Sequence, residues 1–231
     1  MKAILIRTLA ALWDRDSKMG LNINTSLKVK QPFLSLADKS LNKSRLQVFL
    51  SLCDCITPTT SDSMMMEEIY KQVYSCKRCQ LWEGTKHAVP GEGPFDAKVM
   101  VVGQNPGADE DESGRPFVGR AGKYLTKTLA EFGIHREELF ITNIVKHTSP
   151  KNRKPSPAEV ETCLPYLQEQ IRIIQPKIII LLGASAKETP RIDGIKYFEV
   201  IHPSAAMRFT KMREKFRTQI SELAEQIKQT Q

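Results

Sequence analysis

Residues 101–122 read VVGQNPGADEDESGRPFVGRAG, and this stretch contains most of the features that organise the chain. It begins in an apolar segment, residues 98–102, that is typical of a buried strand, and it breaks at Gly103 into a loop rich in glycine and proline. An acidic turn is predicted next, followed by a second glycine-bearing segment at residues 116–122 and a helical pattern. Sheets of parallel strands place ligand sites outside the carboxyl ends of the strands. The stretch therefore predicts a site-forming loop, followed by a lid or wall that carries Phe117.

The same loop has a simpler interpretation, because glycine and proline also mark ordinary turns between a strand and a helix. The stretch contains neither the GxxxxGK[ST] pattern of a P-loop nor the GxGxxG pattern of a dinucleotide site. On these residues alone both interpretations stay open, and the remainder of the chain has to separate them.

Length and composition restrict the class of protein. The chain has 231 residues with a net charge of +8, and 41% of its residues are hydrophobic. This allows one domain of ordinary size with an extension. The positive charge suits a partner such as DNA, although many soluble proteins are equally basic. We expect a cytoplasmic protein, because no apolar run approaches the roughly 18 residues of a membrane helix and no signal-peptide cleavage pattern follows the first residues.

Five cysteines are present, at Cys53, Cys55, Cys76, Cys79 and Cys163. An odd number without a signal peptide argues against a disulfide framework. The CxxC pair formed by Cys76 and Cys79 has the spacing of a metal-binding or redox pair.

Residues 1–63 differ in composition from the rest of the chain. They contain short apolar patches separated by polar residues, they end in a polar run, and they carry no constellation of acid, base or ligand side chains. We expect them to be an N-terminal extension, either poorly ordered or the result of an upstream start codon, in which Cys53 and Cys55 are not ligands. The domain is expected over residues 64–231.

Predicted strands and helices alternate through that domain. Strands are predicted at residues 98–102, 138–145, 176–183 and 195–201, and helices at 67–75, 123–132, 156–175 and 209–229. The unbroken apolar run at 176–183 is typical of a central parallel strand that is covered on both faces. The alternation predicts a three-layer α/β/α sandwich with a central, mainly parallel four-stranded sheet.

Three separated motifs resemble those of one enzyme family. GQNPG at 103–107 with PFVGRAG at 116–122 resembles motif A of the uracil-DNA glycosylase superfamily, and PFVGRAG resembles family 4, the iron–sulfur branch, in particular. ITNIVK at 141–146 is similar to the ITNVVK of that family, and His202 begins an HPS motif. The resemblance covers residues 64–231. It implies a monofunctional DNA glycosylase that hydrolyses the N-glycosidic bond of uracil in base excision repair and leaves an abasic site.

The resemblance assigns catalytic roles to two residues at the strand ends. His202 is expected beside uracil O2, where it would stabilise the negative charge that develops as the bond breaks, together with backbone N–H groups of the 103–105 loop. Asn105 is expected to orient the attacking water. Asn143 is expected to read the Watson–Crick edge of the base, because its amide offers both a donor and an acceptor.

Phe117 is suited to stack on a base flipped out of the helix, although it could equally be part of the core. Gly103 and Gln104 complete the expected substrate-binding set. Gln104 stands where family 4 usually carries the acid of GEAPG, and GxNPG is closer to the mismatch-specific and single-strand-selective branches. Hypoxanthine or mismatched bases are therefore alternatives to uracil, and a further alternative is a non-catalytic, metal-containing DNA-binding homologue.

Family 4 holds its cluster with four cysteines, of which three have counterparts here. Cys76 and Cys79 match the first pair and Cys163 matches the last, while His147 occupies the third position, sixteen residues before Cys163. Histidine can ligate an iron–sulfur cluster. The resemblance thus implies an iron–sulfur cluster, [4Fe–4S] by analogy, on these four residues. A zinc ion in a Cys₃His site and a site without metal are the alternatives.

Six residues are predicted to contact DNA, three in the basic loop 150–157 and three after the histidine. They are Lys151, Arg153, Lys154, Ser204, Met207 and Arg208. In the family, a large apolar residue four positions after the histidine fills the gap left by the flipped base. Ala206 stands there, so Met207 is expected to serve instead. The expected partner is uracil-containing DNA, double- or single-stranded, and the protein is expected to act as a monomer.

Overall fold

The computed structural model describes residues 59–230. The predictions made for residues 1–58, including those for Cys53 and Cys55, lie outside this range. Residues 59–63, which the sequence places in the extension, form the beginning of helix α1 (Thr59–Tyr74). None of the helices within the described range is long and apolar enough to span a bilayer.

The elements that follow α1 alternate as predicted. They are β1 (Val99–Gly103), α2 (Ala108–Ser113), α3 (Arg120–Glu131), β2 (Leu139–Asn143), α4 (Pro157–Ile174), β3 (Ile178–Leu182), β4 (Lys196–Val200), α5 (Pro203–Arg208) and α6 (Thr210–Lys228). The four strands form one all-parallel sheet in the order β2-β1-β3-β4. The predicted α/β fold is confirmed.

The two faces of the sheet are covered by different helices, as the alternation of side chains along a strand requires. Met100, Val102 and Leu181 belong to a core cluster that includes residues of α1 and α4. Val101 and Ile180 belong to a second cluster that includes residues of α3 and α6. This arrangement gives the three layers predicted from the unbroken apolar strands.

The register of the sheet places the loops that carry the predicted site residues at one edge. Gly103 at the end of β1 pairs with Asn143 at the end of β2, and Leu182 at the end of β3 pairs with Val200 near the end of β4. Because all four strands are parallel, the segments leaving them emerge on the same side. The motif A loop, Asn143 and the segment that begins at His202 therefore meet there.

Two short helices were not expected from the sequence. The segment predicted as an acidic turn forms α2, whose third residue Glu110 accepts a hydrogen bond from the N–H of Gly107 at 3.0 Å, an arrangement that caps the helix start. Helix α5 begins at Pro203, a residue favoured at the first helical position, directly after His202. Both helices lie in segments that contribute to the site.

Candidate active site

A cavity of about 490 Å³ opens at the carboxyl edge of the sheet. Its walls combine the motif A loop, the segment around Phe117, the end of β2 and the histidine segment. The predicted site residues that line it are Gln104, Asn105, Phe117, Asn143, His202, Ser204 and Arg208. The structure thus brings together most of the predicted substrate and catalytic set.

The least ordinary feature of this cavity is an unpaired polar atom in the side chain of Asn143. The residue is only 1% exposed, and among the described residues its Oδ1 is the only buried side-chain nitrogen or oxygen without a hydrogen-bond partner. An unpaired buried acceptor costs about 1–3 kcal/mol, so such atoms are rare unless a ligand completes them. Asn143 therefore lines the cavity and carries an acceptor that no described group satisfies.

Gly103 makes room for this asparagine. A Cβ at position 103 would lie 2.5 Å from Cζ of Phe117 and closer still to Oδ1 of Asn143. Only glycine permits such a close approach of backbone to side chains. The predicted contribution of Gly103 to the substrate pocket is consistent with this position directly behind Asn143 and Phe117.

The orientation of His202 follows from its contact with Ser204. The backbone N–H of Ser204 donates to Nδ1 of His202 at 3.2 Å, and the Ser204 hydroxyl lies 2.7 Å from the same nitrogen. Because Nδ1 accepts a hydrogen bond, the neutral ring carries its hydrogen on Nε2. Burial lowers the pKa of His202, while the nearby Glu110 opposes this shift. At neutral pH the ring is thus a neutral donor through Nε2.

Close packing around His202 also involves the loop after β3. Gly183 has φ of +83°, and a Cβ there would approach Cβ of His202 to 3.1 Å. A positive φ and a tight contact both favour glycine. The loop can therefore lie directly against the histidine segment.

Phe117 serves the core and the cavity together. It is 8% exposed, it packs with the second core cluster, and it lines the cavity. Its ring centroid lies 6.3 Å from that of His202, with the two planes inclined by 37°. The two roles considered for Phe117 from the sequence are compatible in this position.

The backbone at Phe117 is held from one side by Arg136. Phe117 has φ of +51°, a conformation that is uncommon for a residue other than glycine. The Arg136 guanidinium donates to the carbonyl oxygen of Pro116 at 2.7 Å and to that of Phe117 at 3.3 Å. These charge-assisted bonds help to stabilise an otherwise unfavourable backbone.

Glu110 holds the same loop from the other side. Its Oε1 accepts hydrogen bonds from the N–H groups of Val118 at 2.9 Å and Gly119 at 2.8 Å, and its Oε2 accepts the N–H of Gly107. Glu110 is buried and lines the cavity. The carboxylate thus joins the motif A loop to the Phe117 loop. Sequence reasoning missed this residue, because nothing in the acidic run distinguishes it from its neighbours.

Asn105 is fixed by its immediate neighbours. Its Nδ2 donates to the carbonyl oxygen of Pro106 at 2.8 Å and to the Ser149 hydroxyl at 3.3 Å, and its Oδ1 accepts from Nε2 of Gln104 at 2.8 Å. An amide oxygen has two acceptor sites, so one remains for a water molecule. Gln104 therefore contributes to the cavity wall and also orients Asn105.

The basic residues of the loop before α4 differ in whether a carboxylate is paired with them. The Arg153 guanidinium forms two hydrogen bonds with the Glu159 carboxylate, at 2.6 and 2.8 Å, and it lowers the pKa of Glu159 to about 2. Lys151 and Lys154 are exposed. Asn152, which the sequence did not single out, has φ of +53° and lines the cavity. The predicted DNA contacts of this loop stay predictions, and Arg153 already has a carboxylate partner.

The segment after His202 shows which side chains are available on the surface. Ala206 is fully buried, Met207 is half-buried, and Arg208 is exposed at the cavity. Phe209, which follows directly, is 61% exposed. Phe209 is therefore a large exposed apolar side chain next in sequence to the cavity-lining Arg208, and the sequence analysis did not name it.

The three cysteines of the described range lie near one another, in and against the core cluster that includes residues of α1 and α4. The Lys146 N–H donates to Sγ of Cys163 at 3.3 Å. Burial raises the pKa of Cys163 to about 11, with a further contribution from the nearby Cys76 and Cys79, and Lys146 opposes the rise. Burial also raises the pKa of Cys79. The Cys79 and Cys163 thiols are therefore reluctant to ionise alone, whereas binding to iron or zinc would favour their thiolates.

His147 is the fourth residue of the predicted ligand set. It is 4% exposed, and burial lowers its pKa, which favours the neutral ring that a metal requires. Within residues 59–230, no three His, Cys, Asp or Glu side chains are grouped closely enough to hold a single metal ion. The donor chemistry, sulfur with an imidazole, fits an iron–sulfur cluster. The ligand set and the choice between cluster and zinc stay predictions.

Comparison with known proteins agrees with this geometry. Residues 90–225 match the model of the uracil DNA glycosylase superfamily. The chain is similar to the type-4 uracil-DNA glycosylases of Sulfurisphaera tokodaii (52% identity over 119 residues, 51% of this chain and 54% of the relative), Pyrobaculum aerophilum (48% over 132 residues, 57% and 67%) and Archaeoglobus fulgidus (34% over 183 residues, 69% and 92%). The alignment thus spans about half the length of the first relative and most of the third. The match of this family model to more than half of the chain, with the type-4 enzymes among the relatives, confirms the resemblance: the chain belongs to the uracil-DNA glycosylase superfamily.

Proposed function

We propose that this protein is a monofunctional uracil-DNA glycosylase of base excision repair. The observation that carries the proposal is the unpaired, buried Oδ1 of Asn143 in a cavity that it shares with the Nε2 donor of His202. The relatives named type-4 uracil-DNA glycosylase support uracil as the substrate.

Asn143 supplies the base recognition. Uracil presents a donor at N3 and an acceptor at O4, which match the Oδ1 acceptor and the Nδ2 donor of the amide. Cytosine presents an acceptor at N3 and a donor at its 4-amino group, so it would leave buried polar groups facing like groups. Sites built from such hydrogen bonds reject the wrong base strongly. Hypoxanthine also has an N–H beside a carbonyl, so it remains the alternative substrate that an assay must exclude.

His202 supplies the stabilisation of the leaving group. As the bond between C1′ and N1 breaks, its electron pair passes to the base, and negative charge collects at O2. A neutral imidazole that donates from Nε2 stabilises that oxygen without first losing a proton. Asn105 orients the water whose oxygen bonds to C1′, and the proton that this water loses as the hydroxyl forms passes through solvent to the departing uracil anion. Because an amide is a weak base, the rate depends mainly on the stability of the uracil anion.

The absence of a lyase step is part of the proposal. A lyase needs an amine that can form a Schiff base with the sugar. Among the described residues, no lysine lines the cavity. We therefore expect an abasic site as the final product, without cleavage of the strand unless heat or base is added.

DNA is held around the mouth of the cavity. Arg208 and Ser204 line the cavity itself, and Lys151 and Lys154 provide exposed positive charge for phosphates. The exposed ring of Phe209 is suited to fill the space that a flipped base leaves in the stack and supplements the role expected of Met207. Action as a monomer and a cytoplasmic location are inferred from the sequence.

The cysteines and His147 are proposed to hold an iron–sulfur cluster. The cluster, when bound, would supply a structural cross-link between the segment before β1 and α4, with no part in bond cleavage. Cys76 and Cys79 lie in the first of these and Cys163 in the second. Iron and sulfide analysis of the purified protein, with zinc measured in parallel, tests the choice of metal.

Base release is the experiment that tests the function. Single-turnover assays would use duplexes with uracil opposite guanine and with hypoxanthine opposite thymine, and would include the Asn105→Ala variant. Release of uracil, lost in the variant, is expected. Release of hypoxanthine alone would mean that the enzyme is specific for hypoxanthine and not for uracil. DNA binding without release of either base would mean that the fold is kept for binding.

A further inference from the structure

Lys146, the last residue of the ITNIVK motif, is a fully buried lysine to which the proposed chemistry gives no role. Its Nζ donates three hydrogen bonds, to Oγ1 of Thr142 at 2.7 Å, to the carbonyl oxygen of Asn143 at 2.8 Å and to Oε1 of Gln170 at 2.8 Å. An ammonium group has three hydrogens and no acceptor site. The three partners therefore satisfy the protonated side chain completely, while burial lowers its pKa to about 7.

The directions of these bonds are fixed by a second layer of contacts. The Thr142 hydroxyl donates to the carbonyl oxygen of Pro90 at 2.7 Å, and Nε2 of Gln170 donates to the same oxygen at 2.8 Å. These bonds direct the hydroxyl hydrogen of Thr142 and the amide nitrogen of Gln170 toward Pro90, which leaves Oγ1 of Thr142 and Oε1 of Gln170 as acceptors for Lys146. The network joins the end of β2, helix α4 and the segment before β1.

The backbone of Lys146 makes two further hydrogen bonds, one to helix α4 and one to the segment before β1. Its N–H donates to Sγ of Cys163, and its carbonyl oxygen accepts the N–H of Val89 at 2.7 Å. One residue therefore ties the base-reading end of β2 to the region that contains the cysteines. A lysine is rarely buried without such a complete set of partners.

We propose that Lys146 is a positioning residue for the reaction, which holds the end of β2 so that the Asn143 amide stays aimed into the cavity. This inference rests on the proposed function. Oδ1 of Asn143 has no partner in the described structure, so its direction depends on the backbone of Asn143 and on packing. Among the described side chains, Lys146 is the one that hydrogen-bonds to that backbone carbonyl.

A purely structural role for the lysine would also explain its burial, and the two roles differ in how mutations combine. If Lys146 acts through Asn143, removing the lysine should have little effect once the asparagine amide is already gone. If it only stabilises the fold, the two effects should multiply, since independent contributions to a free energy add. A double-mutant cycle separates these outcomes.

The cycle would compare wild type, Lys146→Met, Asn143→Ala and the double variant by single-turnover release of uracil. We expect Lys146→Met to slow release about tenfold to hundredfold, and the double variant to be no slower than Asn143→Ala. Lys98→Met is the matched control, because Lys98 is exposed at the opposite end of β1, and it should leave the rate unchanged. Affinity for abasic-site DNA should stay within about twofold in all variants.

Two outcomes would overturn the proposal while uracil release by the wild type still supports the function. One is an unchanged rate in Lys146→Met, and the other is a double variant that shows the product of the two single losses. A wild type that releases no uracil would instead overturn the function and this role together. If Lys146→Met does not fold, Gln170→Met replaces it in the cycle, because it removes one acceptor of the ammonium and keeps the lysine.

Discussion

Replacing His202 by asparagine or by alanine separates two contributions of this residue. The histidine ring accepts the backbone N–H of Ser204 through Nδ1 at the start of α5, and its Nε2 is the proposed donor to uracil O2. Asparagine is a good residue at a helix start, so it can keep the first contact. Its shorter side chain removes the second.

The expected magnitudes differ for catalysis and for stability. Loss of one preorganised donor to a developing oxyanion lowers the rate by about 10²–10³, or roughly 2.7–4 kcal/mol. Loss of the cap costs about 1 kcal/mol of folding free energy. We therefore expect both variants to lose about 10²–10³ in rate, while only His202→Ala loses about 1 kcal/mol of stability.

Single-turnover release of uracil and unfolding in urea measure the two quantities. A 5-fluorouracil duplex adds a further check, since its anion is intrinsically more stable and should need the histidine less, so the loss of rate should be smaller. A His202→Asn variant within about threefold of the wild-type rate would refute the assignment of Nε2 to the leaving group. Equal losses on uracil and 5-fluorouracil would contradict the proposed stabilisation of the anion.

Gly103→Ala should abolish detectable uracil release, because a Cβ there collides with the Asn143 amide, which is proposed to read the base, and with Phe117; the single-turnover assay measures the loss, and a rate near wild type would show that the loop can shift at little cost. Phe209→Ala should slow release from duplex DNA by about tenfold and leave single-stranded substrate unaffected, because filling the stack is needed only in a duplex. Tyr74→Ala is the control, because Tyr74 is also aromatic and 61% exposed, and equal losses on both substrates would contradict the proposal that Phe209 fills the gap left by the flipped base. The free energy of unfolding should fall as the pH drops below about 6.5, because burial lowers the pKa of His202 in the folded state and the unfolded state therefore takes up the proton first. In urea titrations, the stability of His202→Asn should depend less strongly on pH than that of the wild type. A pH dependence equal to that of the wild type would contradict the effect assigned to the burial of His202.

The sequence was sufficient to predict the sheet and the side chains that follow the ends of its strands. Apolar strands covered on both faces leave few other solutions, and parallel strands bring their carboxyl ends together, so Asn143 and His202 could be expected to meet. The role of Glu110 could not be foreseen, because its carboxylate accepts backbone N–H groups from a loop eight and nine residues further along the chain.

The interior lysine was missed for a related reason. Lysine is ordinarily a surface residue, and only the tertiary structure shows that Gln170, 24 positions away, and Thr142 complete its hydrogen bonds. Likewise, Arg153 reads as a free positive charge in the sequence, whereas in the structure it is paired with Glu159. Patterns of charge do not reveal which charges are already paired.

Uracil release by the wild type and by Asn143→Ala, measured side by side on duplexes that carry uracil or cytosine opposite guanine, tests the central claim most directly. We predict that the wild type releases uracil and no cytosine, and that Asn143→Ala is about a hundredfold slower on uracil, as expected from the loss of two hydrogen bonds of about 1–1.5 kcal/mol each. Equal rates for the two proteins on uracil, or release of cytosine by the wild type, would contradict base reading by Asn143.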